Sequence, residues 1–95
     1  MKSGDRTDRL RDLSGVGPAM LADFERLGVK SVADLARRDP RVLYERLGRI
    51  TRSRQDPCVL DVFRCAVAQA RDPRLPAAKR RWWWWSRLRK AGGRA

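Results

Sequence analysis

Few side chains in this sequence can perform covalent or metal chemistry. There is no histidine, and the two cysteines are Cys58 and Cys65. Without histidine, Ser–His–Asp and Cys–His catalysis and histidine-ligated metal sites are excluded. Two thiols do not complete a four-ligand zinc site. We therefore predict no catalytic residue, no metal site and no cofactor, and we interpret the chain as a non-enzymatic protein.

The cysteine spacing fits packing better than a disulfide. Seven residues of helix rise about 10.5 Å, whereas the Cα atoms of a disulfide are usually less than ~7 Å apart. Phe63, Ala66 and Val67 lie on the same side of the predicted helix to within a turn. We expect both cysteines to be buried thiols that pack as small apolar groups; a redox or ligand role is the alternative.

A glycine turn, Gly15-Val16-Gly17 followed by Pro18, has the residue types of an anion site. Glycines let the backbone approach another surface, and the first amides of the next helix point outward. With the helix dipole, such amides bind phosphate oxygens. We predict that Val16 turns inward and anchors the turn, and that the amides of Gly15, Gly17 and Ala19 contact phosphate. The candidate nucleic-acid-binding residues of the turn are Gly15, Val16, Gly17 and Ala19. The alternative is a close helix–helix turn that merely requires glycine.

Positive charge points to the same class of ligand. Lys and Arg number 23 against 11 acidic residues, a net charge of +12, which favours association with polyanions. One cluster, Arg37, Arg38 and Arg41, lies at the turn between two predicted helices. These arginines are candidate phosphate contacts; the alternative is a solvated surface paired with local acidic residues.

The C-terminal segment combines basic and aromatic residues. Seven basic residues and no acidic residue fall within 76–95, and positions 82–85 are all tryptophan. Successive helical residues rotate by about 100°, so at least one or two of these rings must be exposed or dock on a partner if the segment is helical. Exposed tryptophans stack on unpaired bases. The alternatives are a lid over the core with arginines on the rings, an interfacial membrane contact and self-association. The candidate nucleic-acid-binding residues here are Lys79, Arg80, Arg81, Trp82 and Trp83.

Helical periodicity predicts an all-α fold, a compact bundle of about five short helices. The predicted helices are 8–13, 18–27, one capped by Ser31, one from Pro40 to about Ile50, and one from Pro57 to about Ala70, with a possible sixth in the tail. Prolines at 73 and 76 divide a helical domain (1–75) from a basic Trp-rich tail (76–95). No stretch approaches the roughly 20 apolar residues of a membrane span, and no signal peptide is visible. We therefore expect a cytoplasmic protein.

Two sets of residues resemble known proteins. Residues 13–18, Leu-Ser-Gly-Val-Gly-Pro, followed by 27–29, Leu-Gly-Val, and 31–35, Ser-Val-Ala-Asp-Leu, resemble a helix-hairpin-helix motif. Segments 39–47 and 54–67, which include Gln-Asp-Pro-Cys at 55–58, together with the Trp-rich end resemble the bacterial pathogenicity-locus or mitomycin-resistance-like family. The resemblance covers about residues 8–85 and implies a helix-hairpin-helix fold with a DNA-related role. Ala19 and Met20 replace the Lys, Arg or hydroxyl residue frequent after this glycine turn, so phosphate contact would depend on backbone amides.

Three functions remain open from the sequence. The first is a DNA-binding module that contacts the phosphate backbone. Because no base-reading helix stands out, we expect it to bind without reading the DNA sequence. Its role would be in DNA repair or in the response to DNA damage. The second is a protein-interaction adaptor that docks through the hairpin or the tryptophans. The third and weakest is a nuclease or another enzyme of DNA metabolism. Metal-dependent phosphate hydrolysis needs clustered carboxylates, and Asp56 and Asp61 are the nearest approach to such a pair.

Overall fold

The computed structural model describes residues 10–92, which form five α-helices and, within that range, no β-strand. The all-α prediction is confirmed. The helix expected over 8–13 is, in its described part, only the 3₁₀ turn Leu10–Asp12, because so short a segment gains too few hydrogen bonds to sustain a helix; residues 8 and 9 lie outside the described range. A second 3₁₀ turn is Ala77–Arg80. The helices are α1 (Pro18–Leu27), α2 (Val32–Ala36), α3 (Pro40–Thr51), α4 (Pro57–Arg71) and α5 (Trp82–Lys90).

Local signals define the helix starts. The side chains of Ser31, Asp39 and Asp56 each accept a hydrogen bond from a backbone amide two or three residues later, at 3.0, 2.9 and 2.8 Å respectively. Such caps stabilise a helix by about 1 kcal/mol each. Proline occupies the first position of α1, α3 and α4, where no amide donor is needed. Gly28 ends α1 in the left-handed conformation, φ +76°.

The core is centred on the aromatic pair Phe24 of α1 and Phe63 of α4. Both rings are fully buried and their centroids are 5.9 Å apart. Helix α4 is the central element, since α2, α3 and α5 all pack against it. Burying one large apolar side chain contributes roughly 1.5–3 kcal/mol, so this cluster holds the helices together. Its other nearly fully buried members are Leu27, Leu35, Leu43, Leu47, Ala66 and Val67.

An ion pair fixes α5 on α4. The carboxylate of Asp61 is fully buried and accepts hydrogen bonds from Arg89 Nε and Nη2, each at 3.0 Å. Ser86, also buried, allows close approach of the two helices. The Trp-rich segment is thereby held against the same core as the other helices. No helix within residues 10–92 has the length and apolar character needed to cross a membrane.

The cysteines are not bonded to each other. Cys65 is buried, as predicted, whereas Cys58 is only half-buried. Burial raises the pKa of the Cys65 thiol to about 11, although a hydrogen bond from Gln69 opposes the rise. The Cys65 Sγ also donates to the carbonyl of Lys79 at 3.6 Å. A thiol in this environment carries little thiolate at neutral pH and is therefore a packing group.

Candidate nucleic-acid interface

The glycine turn adopts the conformation that the sequence predicts. Gly15 has φ +84°, a region that side chains other than glycine rarely adopt. Val16 is 8% exposed and belongs to the core cluster, so it anchors the turn from inside. The Val16 amide donates to the carbonyl of Leu13 at 3.2 Å. Gly17 follows in an extended conformation and is the N-cap residue of α1.

Backbone amides are available on the outer side of this turn. The first backbone hydrogen bond at the start of α1 runs from Leu21 N to Gly17 O at 2.9 Å. Among residues 10–92, the amides of Gly15, Gly17, Ala19 and Met20 have no hydrogen-bond acceptor. Gly15, Gly17 and Ala19 are exposed, and Met20 is half-exposed. These donors, at the positive end of a helix dipole, suit an anion.

A side chain that the sequence reasoning missed clamps the turn to α4. The side-chain amide of Gln69 accepts a hydrogen bond from Ser14 N at 2.9 Å and donates one to Ser14 O, also at 2.9 Å. Gln69 is 8% exposed. Its side-chain amide bonds to both the backbone N–H and the backbone carbonyl of Ser14, as a residue of a neighbouring β-strand would. The only sequence signal was a polar residue within the most apolar helix. This pair fixes the backbone just before Gly15.

The structure brings the glycine turn and the start of α5 together. A Cβ atom placed on Gly15 would lie 3.9 Å from Cδ1 of Trp82, which is ordinary van der Waals contact. The two predicted sets of phosphate-binding residues, 15–19 and 79–83, are therefore neighbours although more than sixty positions separate them. Two helix N-termini, those of α1 and α5, lie next to this contact.

The four tryptophans divide between half-buried and exposed positions, as their rotation around a helix requires. Trp83 is 47% exposed, while Trp82, Trp84 and Trp85 are half-buried. Trp85 Nε1 donates to the carbonyl of Lys79 at 2.8 Å. Adjacent rings meet edge to face, with centroids 6.0 Å apart for Trp82 and Trp83 and 5.0 Å apart for Trp84 and Trp85. Three rings thus cover part of the bundle and one is presented to solvent.

The three basic residues before α5 have different surroundings. The Nζ of Lys79 lies 5.3 Å from the Trp84 ring centroid, and Cζ of Arg81 lies 5.7 Å from that of Trp83, both within cation–π range. Both residues are exposed. Arg80 instead donates to two backbone carbonyls of residues 75 and 73, at 2.8 and 3.0 Å, and so holds the turn between α4 and α5.

The arginines at the start of α3 are also divided. Arg38 donates to Asp34 at 3.1 Å and to the carbonyl of Gly28 at 3.1 Å, which ties α2 to the end of α1. The hydrogen bond from Arg38, together with one from the Lys30 amide, holds the pKa of the Asp34 carboxyl below its usual value. Arg37 and Arg41 are exposed.

Carboxylates do not form a catalytic cluster in the part of the chain that the structure describes. Asp56 caps α4 by accepting from the Cys58 amide, which holds the pKa of Asp56 below its usual value. Asp61 is the partner of Arg89. Within residues 10–92, no three acidic or cysteine side chains are placed to hold a metal ion together. The two carboxylates nearest to a nuclease pattern therefore have structural partners.

Comparison with known proteins agrees with the resemblance found in the sequence. The sequence model of a family described as pathogenicity locus (Cdd1) matches residues 3–91. The mitomycin resistance protein McrB of Streptomyces lavendulae is 44% identical over 70 residues, which are 74% of this chain and 66% of that protein. The match thus spans slightly less than two thirds of that relative. No solved structure matches the chain. The protein belongs to the pathogenicity locus family.

Proposed function

We propose that the protein is a non-enzymatic module that binds DNA through its phosphate backbone without reading sequence. The observation that carries this proposal is the proximity of Gly15 to the ring of Trp82, whose Cδ1 would lie 3.9 Å from a Cβ atom at that position. It joins the free amides of Gly15, Gly17, Ala19 and Met20 and the basic and aromatic residues 79–83 into one surface, which we call the turn–tail surface. Each half alone is a weak signal, but together they supply amide donors, positive charge and an aromatic face.

Each part of the turn–tail surface has a different task. The amides of Gly15, Gly17 and Ala19 donate to phosphate oxygens, aided by the dipole of α1. Lys79 and Arg81 add positive charge, whereas Arg80 contributes mainly by holding the turn before α5. Backbone contacts of this kind position a protein on DNA but carry no sequence information.

Trp83 extends this surface toward unpaired bases. Its ring is 47% exposed and has Arg81 on it, and stacking of a base on such a ring is tolerant of sequence. We therefore expect a preference for DNA with unpaired nucleotides, such as ends, gaps or junctions. The relative from Streptomyces lavendulae is named for mitomycin resistance; for this chain we propose a role in the repair of, or response to, DNA damage.

The test compares two glutamate substitutions in the full chain. Gly17→Glu places a carboxylate among the proposed phosphate donors; the φ of Gly17 is −104°, which any residue adopts, and no atom lies within 4 Å of a Cβ there. Gly15 is unsuitable because its φ is +84°. Ala33→Glu adds the same charge at an exposed position of α2 and is the matched control.

Fluorescence anisotropy of labelled duplex DNA, titrated at several salt concentrations, measures the effect. Each neutralised phosphate contributes about 0.9 to the slope of log K against log salt. We expect Gly17→Glu to reduce affinity at least about tenfold and the slope by about one to two, while Ala33→Glu changes both much less. Equal effects of the two substitutions would contradict the proposed site.

The same titration decides the alternative function. An adaptor that docks a protein through the exposed ring of Trp83 is expected to have little affinity for DNA. Its binding to the partner would depend weakly on salt, because apolar contacts are not screened by ions. If the unaltered chain does not bind DNA at near-physiological salt, the DNA proposal is wrong and the adaptor is the better interpretation. Steep salt dependence that Gly17→Glu reduces supports the DNA proposal.

A further inference from the structure

A cavity of about 300 Å³ lies where the start of α3, the second half of α4 and the middle of α5 meet. Three arginines, one from α3 and two from α4, line it together with a tryptophan of α5. These residues are Arg41, Arg64, Arg71 and Trp85. One acidic residue, Asp39, also lines the cavity, so positive charge is in excess there.

Arg64 carries the strongest sign of a ligand. Its Nη1 atom is buried and has no hydrogen-bond partner within the described chain. A buried guanidinium nitrogen without an acceptor is unfavourable, because it has lost its hydration and gained nothing in return. Arg64 lines the cavity, and a rotation of its guanidinium toward the cavity would give this nitrogen an anion as its acceptor. Bidentate pairing with carboxylate or phosphate is the geometry that a guanidinium favours.

Arg71 is held in place beside Arg64. The two are seven positions apart on α4, so they lie on the same face about 10.5 Å apart along the helix. Arg71 Nε donates to the carbonyl of Ala36 at 2.8 Å, and Nη2 donates to that of Arg38 at 3.0 Å. These bonds fix the guanidinium and leave Nη1 for another acceptor. The guanidinium of Arg71 is therefore held in a fixed position before any ligand binds.

Arg41 and the start of α3 complete the charged side of the cavity. Arg41 follows the N-cap Asp39, whose carboxylate accepts the Arg41 amide at 2.9 Å. That bond holds the carboxylate of Asp39 at the helix start, and the three arginines of the lining outweigh its single negative charge. The side chain of Arg41 makes no hydrogen bond within residues 10–92 and is exposed, so it is available at the mouth of the cavity.

Trp85 gives the cavity an aromatic wall in a fixed orientation. Its Nε1 donates to the carbonyl of Lys79, and its ring meets Trp84 edge to face. Arginines beside one aromatic ring suit a phosphate that carries a planar group better than a bare ion. We propose that this cavity binds the phosphate monoester of a nucleotide, with the base against Trp85. The site meets the turn–tail surface through the bond from Trp85 to the carbonyl of Lys79, but the proposal does not depend on the function of that surface.

Two sources share this chemistry, a free mononucleotide and the phosphorylated end of a DNA strand. Isothermal titration of the full chain with deoxyadenosine 5′-monophosphate tests the site itself, with deoxyadenosine as the comparison that lacks phosphate. We expect saturable binding of the nucleotide and none of the nucleoside. A second titration compares a short single strand carrying a 5′-phosphate with the same strand carrying a 5′-hydroxyl, and a preference for the former identifies the strand end as the ligand.

Substitutions assign the binding to the cavity. Arg64→Gln should weaken nucleotide binding by about tenfold or more, since it removes a charged bidentate donor. Arg46→Gln removes the same charge from an exposed position of α3 that does not line the cavity and should change binding little. Ala68→Leu, a second variant, fills the cavity from α4 without altering charge and should also weaken binding. A circular dichroism melt of each variant verifies its fold.

The outcomes separate this site from the proposed function. Absence of saturable nucleotide binding, or binding that neither Arg64→Gln nor Ala68→Leu weakens, would overturn the proposal. Nucleotide binding that depends on Arg64 supports it even if Gly17→Glu leaves DNA affinity unchanged. Conversely, DNA binding that depends on Gly17 but not on Arg64, with no nucleotide binding, leaves the turn–tail surface standing and removes the cavity site.

Discussion

Substitution of Gln69 tests how the glycine turn is held. Gln69→Leu keeps a side chain of similar size and removes both hydrogen bonds to Ser14, each 2.9 Å long. A typical hydrogen bond contributes about 0.5–1.5 kcal/mol net. Because Ser14 is exposed, water replaces part of the loss, and we expect about 1–2 kcal/mol of destabilisation. For a domain of this size, that corresponds to a fall in Tm of roughly 4–16 °C.

Substitution Gln69→Glu should make the stability of the fold depend on pH, which a defect in packing alone would not do. The introduced carboxylate has no donor for the carbonyl of Ser14, whereas its protonated form restores one. The pKa of the introduced carboxyl group is therefore expected to lie above its unfolded value of about 4.3 in the folded chain. A raised pKa stabilises the fold at low pH, and this stabilisation is lost as pH rises through the folded value. The Gln69→Glu variant should thus gain stability relative to the Gln69→Leu variant on acidification.

Urea unfolding followed by tryptophan fluorescence, at several pH values from neutral to about 4, measures both effects. We also expect the Gln69→Leu variant to bind DNA more weakly. Without the two hydrogen bonds to Ser14, the proposed phosphate-binding amides of Gly15, Gly17 and Ala19 are no longer held in fixed positions. A Gln69→Leu variant as stable as the unaltered protein, or a Gln69→Glu variant whose stability follows that of Gln69→Leu at every pH, would refute the role given to Gln69.

Three further predictions concern other contacts. Arg89→Met should destabilise the fold by about 3 kcal/mol in thermal denaturation, because Asp61 is then a buried unpaired carboxylate; an unchanged Tm would contradict the pairing. In native protein at pH 8, iodoacetamide should label half-buried Cys58 before Cys65, whose pKa burial raises to about 11; mass spectrometry showing Cys65 labelled first would contradict this. Trp83→Ala should cost about 1–3 kcal/mol of affinity for single-stranded DNA yet leave Tm nearly unchanged, since the ring is 47% exposed; unchanged affinity would remove Trp83 from the site.

Local features of the fold were predictable from the sequence. Helices begin at Pro18, Pro40 and Pro57, each with proline at the first position, and an aspartate side chain caps the latter two. The inward position of Val16 follows from the two glycines beside it. Helical rotation predicts that at least one of the four tryptophans is exposed or docks on a partner, but it does not identify Trp83 as the exposed one. Each of these depends on residues within about one helical turn of one another.

Contacts between distant residues were not predictable. The pair of Ser14 and Gln69 joins positions 55 apart, and nothing in a lone glutamine indicates which peptide it will meet. Likewise, charge counts alone treat all arginines as possible phosphate contacts. The structure shows that Arg38 pairs with Asp34, four residues earlier, and that Arg80 donates to backbone carbonyls, whereas Arg37 and Arg41 are exposed; a charge count does not separate these arginines.

A backbone-amide titration tests the turn–tail surface most directly. In a ¹H–¹⁵N correlation spectrum of the labelled full chain, a short duplex with a single-stranded overhang is added at low salt. We predict that the amides of Gly15, Gly17 and Ala19 and the indole signals of Trp82 and Trp83 shift together, and that added salt reverses the shifts. Shifts confined to other helices, with these five residues unmoved, would contradict the proposed surface.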